Sequence, residues 1–222
     1  MQRYPVKIKS INKITRDVLS IVTERPPEYS FTPGQATEIS INKTGWTEEK
    51  RPFTFTSLPA NDYLEFTIKT YPLHKGVTNQ LLQLRKDDGL ILHEVFGAIS
   101  YKGEGAFIAG GAGVTPFISI FRHLSSKNEI GNNKLIFANK MKTDIILEKE
   151  FRELLGIHFI NILSEEKVEN FTYGQVTEDF INAKCEWSKL FYLCGPPPMM
   201  ESIERILTDM NVDKKSIIKE SF

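Results

Sequence analysis

A glycine-rich run, GGAGVTP at residues 110–116, is the first place where the sequence could hold a ligand. It follows an apolar strand pattern and precedes a helical one, which is where an open parallel sheet binds phosphate. Glycines there let the backbone approach a ligand closely, and the free amides at the helix start attract an anion. The alternative is a tight turn that needs glycine for structural reasons alone.

The same run departs from the usual dinucleotide fingerprint in two ways. Pro116 stands where the third glycine would be. The acidic residue expected about 20 positions further on, which would bind a ribose, is replaced by Asn139 and Lys140. Both differences argue against a standard Rossmann dehydrogenase.

A second segment, RPFTFTSLP at residues 51–59, combines a guanidinium, aromatic rings and hydroxyls. On one short strand, Arg51, Phe53 and Ser57 would alternate to the same face, with Thr54 at its border. Arginine can clamp a diphosphate, an aromatic ring can flank a planar ring, and a hydroxyl can bond a ring nitrogen. An edge strand with ordinary polar residues explains the spacing equally well.

A third segment, KGVTN at residues 75–79, forms a phosphate-type turn at the start of a helix predicted over 78–84. Lys75 adds positive charge beside it. The alternative is that Thr78 only caps the helix. Two anion-binding helix starts in two parts of the chain suggest two nucleotides.

Cys194 closes an apolar strand and precedes the turn GPPP, so its thiol lies at the ligand edge of a parallel sheet. A small buried hydrophobe is the alternative for a lone cysteine. With Cys185 it makes two cysteines, too few for a four-cysteine iron–sulfur cluster. The four histidines show no ligand spacing, and we expect no metal site.

These segments lie in two parts of the chain that differ in their pattern of apolar residues. Residues 1–102 carry short alternating or β-branched runs between turn residues, which predicts an antiparallel sheet or small barrel. Residues 103–222 alternate apolar runs with helical patterns, which predicts a five-stranded parallel sheet covered on both faces. The predicted strands of the first part include 6–11, 18–22, 37–41 and 64–70, and those of the second part are 106–109, 135–138, 157–163, 190–193 and 217–219.

The composition of the 222 residues, 41% hydrophobic and 25% charged, fits one large or two small globular domains. The 28 basic residues balance the 28 acidic ones, so we expect neither nucleic acid nor an anionic membrane as a partner. No apolar run reaches the ~20 residues of a spanning helix, and the first residues lack the core of a signal peptide. We therefore expect a cytoplasmic protein.

Taken together and in this order, the motifs resemble the ferredoxin-NADP reductase superfamily over nearly the whole chain. The resemblance implies a Greek-key barrel that binds FAD, with FMN less favoured, and a doubly wound domain that binds NADH or NADPH. Its implied flavin contacts are Arg51, Pro52, Phe53, Thr54, Thr67, Ile68, Lys69, Lys75, Gly76, Val77 and Thr78. Its implied nicotinamide contacts are Gly111, Gly113, Val114, Thr115, Pro116, Asn139, Lys140, Cys194, Gly195, Pro196 and Pro197.

The resemblance also implies which residues stand next to the reacting atoms. Thr54 would hydrogen-bond near the reactive N5 of the flavin, and Cys194 would sit beside the nicotinamide ring. Glu220 and Phe222, at the carboxyl-terminal end, would place an acid and an aromatic ring near the flavin. Phe53 replaces the more usual tyrosine, which keeps stacking and removes one hydrogen bond.

The nucleotide preference follows from residues 137–147, which are more similar to the NADH-using cytochrome reductase branch than to the NADPH-preferring one. Lys140 and Lys142 could still meet a 2′-phosphate. NADH is therefore favoured only modestly.

The expected activity is that of a flavin-dependent oxidoreductase. It would pass a hydride from NAD(P)H to FAD, then single electrons to a separate carrier protein: a flavodoxin, a ferredoxin or a haem protein. One alternative is an electron-transfer subunit that works only within a larger complex. The other is a nucleotide-binding regulatory module that has kept the fold and lost turnover.

Overall fold

A computed structural model describes residues 2–185 and 188–220 of the chain. The first part is a six-stranded antiparallel sheet with the order β4-β3-β6-β1-β2-β5. Its strands are β1 (Tyr4–Thr15), β2 (Val18–Glu24), β3 (Ala36–Ile41), β4 (Arg51–Thr54), β5 (Tyr63–Lys69) and β6 (Gly89–Phe96). The sheet closes into a barrel through a bridge between Phe55, just after β4, and Phe66 of β5. The chain crosses from β2 to β3 and returns from β5 to lie beside β1 as β6, which is the predicted Greek-key path.

Alternation of apolar side chains explains the barrel interior. In β1 and β2, Val6, Ile8, Leu19 and Ile21 face inward and are almost completely buried. Phe55 lies at the closure, fully buried, and stacks on Phe31 with ring centroids 4.2 Å apart. Aromatic rings of this size fill a small barrel interior and stabilise it by their buried area.

The helix predicted over 78–84 is shorter than expected. The structure has α1 (Val77–Gln80), followed by a 3-10 turn at Leu81–Gln83. Gly76, in extended conformation, is the N-cap residue before this helix, so the interpretation that Thr78 caps it is wrong. Leu81 and Leu84 are buried, whereas Leu82 is exposed because a 3-10 turn rotates it away from the barrel.

The second part is a parallel sheet with the order β10-β9-β8-β7-β11-β12. Its strands and helices, in chain order, are β7 (Ala106–Gly110), α2 (Thr115–Ser126), β8 (Lys134–Asn139), α3 (Glu148–Leu155), β9 (Phe159–Leu163), β10 (Thr172–Tyr173), α4 (Glu178–Cys185), β11 (Phe191–Cys194), α5 (Pro197–Asp209) and β12 (Ile217–Lys219). The prediction of five strands is wrong by one. β10 has two residues and carries no apolar run, so its pairing with β9 is not visible in the sequence.

Helices cover both faces of this sheet, as the apolar runs predict. Phe107 and Phe137 point to the side of α2 and α3, whereas Ile108 and Ile136 point to the side of α4 and α5. The predicted strand 157–163 begins at Phe159, because Gly156–His158 forms a 3-10 turn with Ile157 exposed. Connections run from β7 in one direction and from β11 in the other, so the carboxyl ends of these two strands border the switch point of the sheet.

One charged cluster joins the two parts. Arg122 of α2 donates from Nη1 to the Thr56 carbonyl oxygen at 2.8 Å and to Glu65 Oε1 at 3.1 Å, both in the first part. Its Nη2 donates to Glu150 of α3 at 2.9 Å. Burial by itself would lower the pKa of Arg122, but the hydrogen bonds and charges of Glu150 and Glu65 raise it instead. One turn earlier on α2, Ser119 donates to the Ser57 carbonyl oxygen at 2.9 Å.

Replacing Arg122 by methionine should destabilise the protein by about 3 kcal/mol, because it leaves two largely buried carboxylates without their cation. Urea unfolding measures this free energy. The matched control is Lys149→Met, which breaks an exposed pair with Glu153 within one helix and should cost no more than ~0.5 kcal/mol. Equal losses in the two variants would contradict a special role for the Arg122 cluster.

Candidate active site

A cavity of about 550 Å³ opens between the barrel and the parallel sheet. That volume lies within the ~300–1,000 Å³ typical of small-molecule sites. From the barrel, eight predicted flavin contacts line it: Arg51, Pro52, Phe53, Thr54, Thr67, Ile68, Lys69 and Thr78. From the sheet, eight predicted nicotinamide contacts line it: Gly111, Gly113, Thr115, Pro116, Cys194, Gly195, Pro196 and Pro197. Glu220 also lines it, so the fold brings most of both predicted sets to one cleft.

Several predicted contacts do not line this cavity. Val77 and Val114 are fully buried, each in the core of its own domain, so their side chains do not face a ligand. Lys75 and Gly76 lie before α1, outside the residues that border the cavity. Asn139 and Lys140 line a neighbouring cavity instead.

The barrel wall is formed by β4 and β5, whose facing residues supply the polar groups suited to a flavin. Arg51 is half-exposed at the start of β4, where its Nη1 donates to the Lys50 carbonyl oxygen at 2.6 Å. Phe53 and Thr54 are half-buried at the other end of the strand. The cleft thus offers a cation, a ring and hydroxyls, the groups that a flavin phosphate and a planar ring require.

Ser57 does not share that face, contrary to the expectation that it alternates with Arg51 and Phe53. β4 ends at Thr54, and the chain then turns inward, so that Ser57 is buried. Its Oγ accepts a hydrogen bond from the Glu65 amide at 3.0 Å. Ser57 therefore belongs to the packing between the two parts of the chain rather than to the cleft.

The glycine-rich wall depends on close backbone approach. A Cβ atom on Gly113 would overlap the carbonyl of Cys194, so no side chain fits where α2 approaches β11. Gly111 has a φ of +51° and open space around its Cβ position, so its backbone faces the cleft. Thr115 and Pro116 begin α2 and line the cleft, and the Thr115 amide donates to the Ala112 carbonyl oxygen of the 3-10 turn that precedes the helix.

Cys194 and Glu220 are neighbours at the floor of the cleft. Burial, with a smaller contribution from the Glu220 charge, raises the pKa of Cys194 to about 12. The thiol is therefore protonated at neutral pH and can pack or donate rather than attack. The Glu220 carboxylate accepts hydrogen bonds from the amides of Ala98 and Ile99 at 3.1 and 3.0 Å. It thereby joins the end of the parallel sheet to the segment that leaves the barrel. Phe222 lies outside the described residues.

A second cavity of about 410 Å³ continues from the first along the sheet edge. The two share Lys69, Gly110, Gly111 and Pro196. Asn139 and Lys140 line the second cavity, and the Asn139 Nδ2 donor is buried there without a protein partner. This buried, unpaired amide donor can bind a hydroxyl oxygen such as that of a ribose.

Some lining residues were not anticipated. Tyr71 and Ile99 border the first cavity, and Arg16, Asp144 and Gln175 border the second. Arg16 belongs to the β1–β2 turn and reaches the second cavity only because the two parts of the chain pack together. No signal in the sequence indicates such a contact between distant segments.

Within residues 2–185 and 188–220, no group of three or more potential metal ligands comes together. In the same described part of the chain, no helix is both long enough and apolar enough to cross a membrane.

Comparisons with known proteins agree with this geometry. Residues 3–101 match the model of an FAD-binding domain, and residues 107–205 match that of an oxidoreductase NAD-binding domain. The chain is 30% identical over 248 residues to the reductase component of propane 2-monooxygenase from Mycolicibacterium goodii, covering 100% of this chain and 68% of that protein. Several relatives are longer than this chain, which covers between 60% and 68% of their length.

Solved structures share the fold over almost the whole chain. The CS-b5R domains of human Ncb5or, in an NAD+ form, superpose with a TM-score of 0.85 at 25% identity, covering 99% of this chain and 70% of that one. A ferredoxin NADP+ reductase from Neisseria gonorrhoeae superposes with a TM-score of 0.86 at 16% identity, covering 99% and 98%.

An FAD-binding barrel and an NAD-binding sheet that share one cleft define a flavoprotein reductase that uses a nicotinamide nucleotide. The chain belongs to the family of flavoprotein reductases with an FAD-binding domain followed by an oxidoreductase NAD-binding domain, which includes the reductase component of propane 2-monooxygenase. The prediction of the fold and of FAD as cofactor is confirmed.

The raised pKa of Cys194 predicts how its thiol reacts. An ordinary thiol, with a pKa near ~8.5, reaches its full alkylation rate by about pH 10. The rate for Cys194 should instead keep rising about tenfold per pH unit up to pH 10, because only the thiolate reacts. Iodoacetamide labelling read by peptide mass spectrometry resolves Cys194 from Cys185. A half-maximal rate near pH 8.5 at Cys194 would contradict the burial argument.

Proposed function

We propose that this chain takes reducing equivalents from NADH at the cleft and delivers single electrons to a separate acceptor protein. The observation that carries the proposal is that eight residues from each predicted nucleotide set line one cavity. A flavin and a nicotinamide held on these opposite walls would be close enough to react. Positioning of two reactants in this way is a major source of rate enhancement.

The residue roles in this proposal follow the walls of the cleft. Arg51 holds the flavin phosphate, because its guanidinium is half-exposed at the cavity edge and matches phosphate geometry. Phe53 lies against the flavin ring, and the Thr54 hydroxyl hydrogen-bonds at its edge. Bound FAD supplies the chemistry itself, since it accepts a hydride and gives up electrons one at a time.

On the facing wall, the backbone at Gly111 and Gly113 and the start of α2 at Thr115 hold the nicotinamide nucleotide. Cys194 positions the nicotinamide ring through its protonated thiol. Glu220 holds this wall against the barrel through its hydrogen bonds with Ala98 and Ile99, in the segment that follows β6. The domains that carry the two walls are proposed to span residues 1–102 and 103–222.

The acceptor is proposed to be a protein outside this chain. Relatives are described as the reductase component of propane 2-monooxygenase, the electron transfer component of 2-halobenzoate 1,2-dioxygenase and NADH-cytochrome b5 reductase 2. These names support either an oxygenase component or a haem protein as acceptor. Flavodoxin and ferredoxin remain within the proposal because they accept the same single electrons.

The visible spectrum of the purified protein, recorded anaerobically before and after NADH, tests the proposal. We expect flavin bands near ~450 nm that bleach on addition, since bound flavin is the hydride acceptor. Turnover with ferricyanide should then follow without any partner. A protein that stays colourless after incubation with FAD would contradict the proposal and favour a binding module without turnover. Flavin that bleaches without ferricyanide turnover would favour a subunit active only in a complex.

Replacing Arg51 by alanine should weaken flavin binding by ~1.5–3 kcal/mol, or about 10- to 100-fold in Kd, the range for a hydrogen bond to a charged group. Flavin occupancy measured against protein concentration gives this value. Arg152→Ala serves as control, because Arg152 pairs with Glu148 on α3 and borders neither cavity. Equal occupancy of the Arg51 variant and the parent protein at low concentration would remove Arg51 from the flavin site.

A further inference from the structure

The loops after β8 and β9 are fixed to each other by their backbones. The Ser164 amide donates to the Asn139 carbonyl oxygen at 3.0 Å, and the Glu165 amide donates to the Lys140 carbonyl oxygen at 3.0 Å. The end of the second strand of a dinucleotide-binding sheet is where the adenosine ribose is recognised. Here that strand is β8, and Asn139 and Lys140 at its end line the second cavity. Glu165 is therefore held next to the ribose end of that cavity.

Lys140 is not available as an uncompensated cation. Its Nζ lies 2.8 Å from Glu165 Oε1. The hydrogen bond and charge of Glu165 raise the pKa of Lys140, so the ammonium stays charged and paired. Lys142, the other candidate for a 2′-phosphate, instead directs its ammonium over the ring of Phe171 at 5.6 Å and does not border the cavity.

The other two cations of the second cavity are paired as well. Arg16 lies 2.9 Å from Asp144, and Lys69 lies 3.3 Å from Asp17. Among the described residues that border this cavity, each Lys or Arg thus has a carboxylate partner. The charge is balanced before any ligand arrives.

We propose that Glu165, through its ion pair with Lys140, makes this site select a nucleotide without a 2′-phosphate, NADH over NADPH. The proposal rests on the proposed function, because it assigns the second cavity to the nicotinamide nucleotide. A 2′-phosphate placed at Lys140 must displace the Glu165 carboxylate or lie beside it. Two anions at such short range repel each other, and the interaction is only partly screened at a protein surface.

The experiment compares two non-reacting probes that differ by one group, adenosine 2′,5′-bisphosphate and 5′-AMP. Calorimetric titration of the flavin-loaded protein gives Kd for each. Glu165→Gln keeps the size of the side chain and removes its charge. We expect the ratio of the 5′-AMP Kd to the bisphosphate Kd to rise about tenfold in this variant, and to rise less at high salt.

Glu166→Gln is the matched control. It removes the same charge one residue away, where the Glu166 carboxylate accepts the Lys142 amide at 2.7 Å instead of pairing with Lys140. In the double variant Glu165→Gln, Lys140→Gln the gain should disappear, because the freed ammonium is gone. This pair of variants isolates the coupling between Glu165 and Lys140.

Three results would overturn the proposal: a ratio changed less than twofold in Glu165→Gln, an equal gain in Glu166→Gln, or a parent protein that already prefers the bisphosphate. A tenfold gain confined to Glu165→Gln and lost in the double variant supports it. Failure of the proposed function would give a different result. In that case the parent protein would bind neither probe and would not be reduced by NADH, because it would have no nucleotide site.

Discussion

The contact between α2 and the chain that leaves β4 determines the geometry of the cleft. α2 begins at Thr115, in the glycine-rich wall of the cleft, and presents Ser119 and Arg122 four and seven residues later on the same side of the helix. Those two side chains bind the carbonyls of Ser57 and Thr56, which lie three and two residues beyond the end of β4. One rigid helix thus sets the distance between the two walls.

A second constraint holds the glycine-rich wall of the cleft together. Gly113 meets the Cys194 carbonyl so closely that any side chain there would force β7 and β11 apart at the switch point. Burial also raises the pKa of the Cys194 thiol and keeps the thiol protonated. An uncharged thiol at the carboxyl end of β11 can orient a ligand without adding a nucleophile or a charge to the cleft.

The sequence predicts those features of the fold that are determined by local residue patterns. The barrel, the parallel sheet and the GGAGVTP loop follow from strand periodicity and glycine spacing, and the cleft residues Arg51, Thr115 and Cys194 follow from motifs within a few positions. The predictions that are wrong concern features determined by contacts between distant segments of the chain. β10 exists only because β9 offers it a partner, and Ser57 turns inward because Ser119 and Glu65 bind it there. The pairing of Lys140 with Glu165 spans two loops and is equally invisible until strand order is known.

Charge is distributed unevenly along the groove that the two cavities form, so that its two ends differ in their affinity for anions. The end near Arg51 keeps a half-exposed cation whose partner, Glu49, lies 3.8 Å away, so it can still bind a phosphate. The centre, around Thr54, Thr115 and Cys194, offers hydroxyls, a protonated thiol and backbone, which orient uncharged rings without favouring a charged form. The far end carries cations already paired to carboxylates. Affinity for anions is thus concentrated where the flavin phosphate would bind and restrained where a further phosphate would change the substrate. Selection among nucleotides can therefore vary at the far end, through residues such as Glu165, without altering the central geometry on which electron transfer depends.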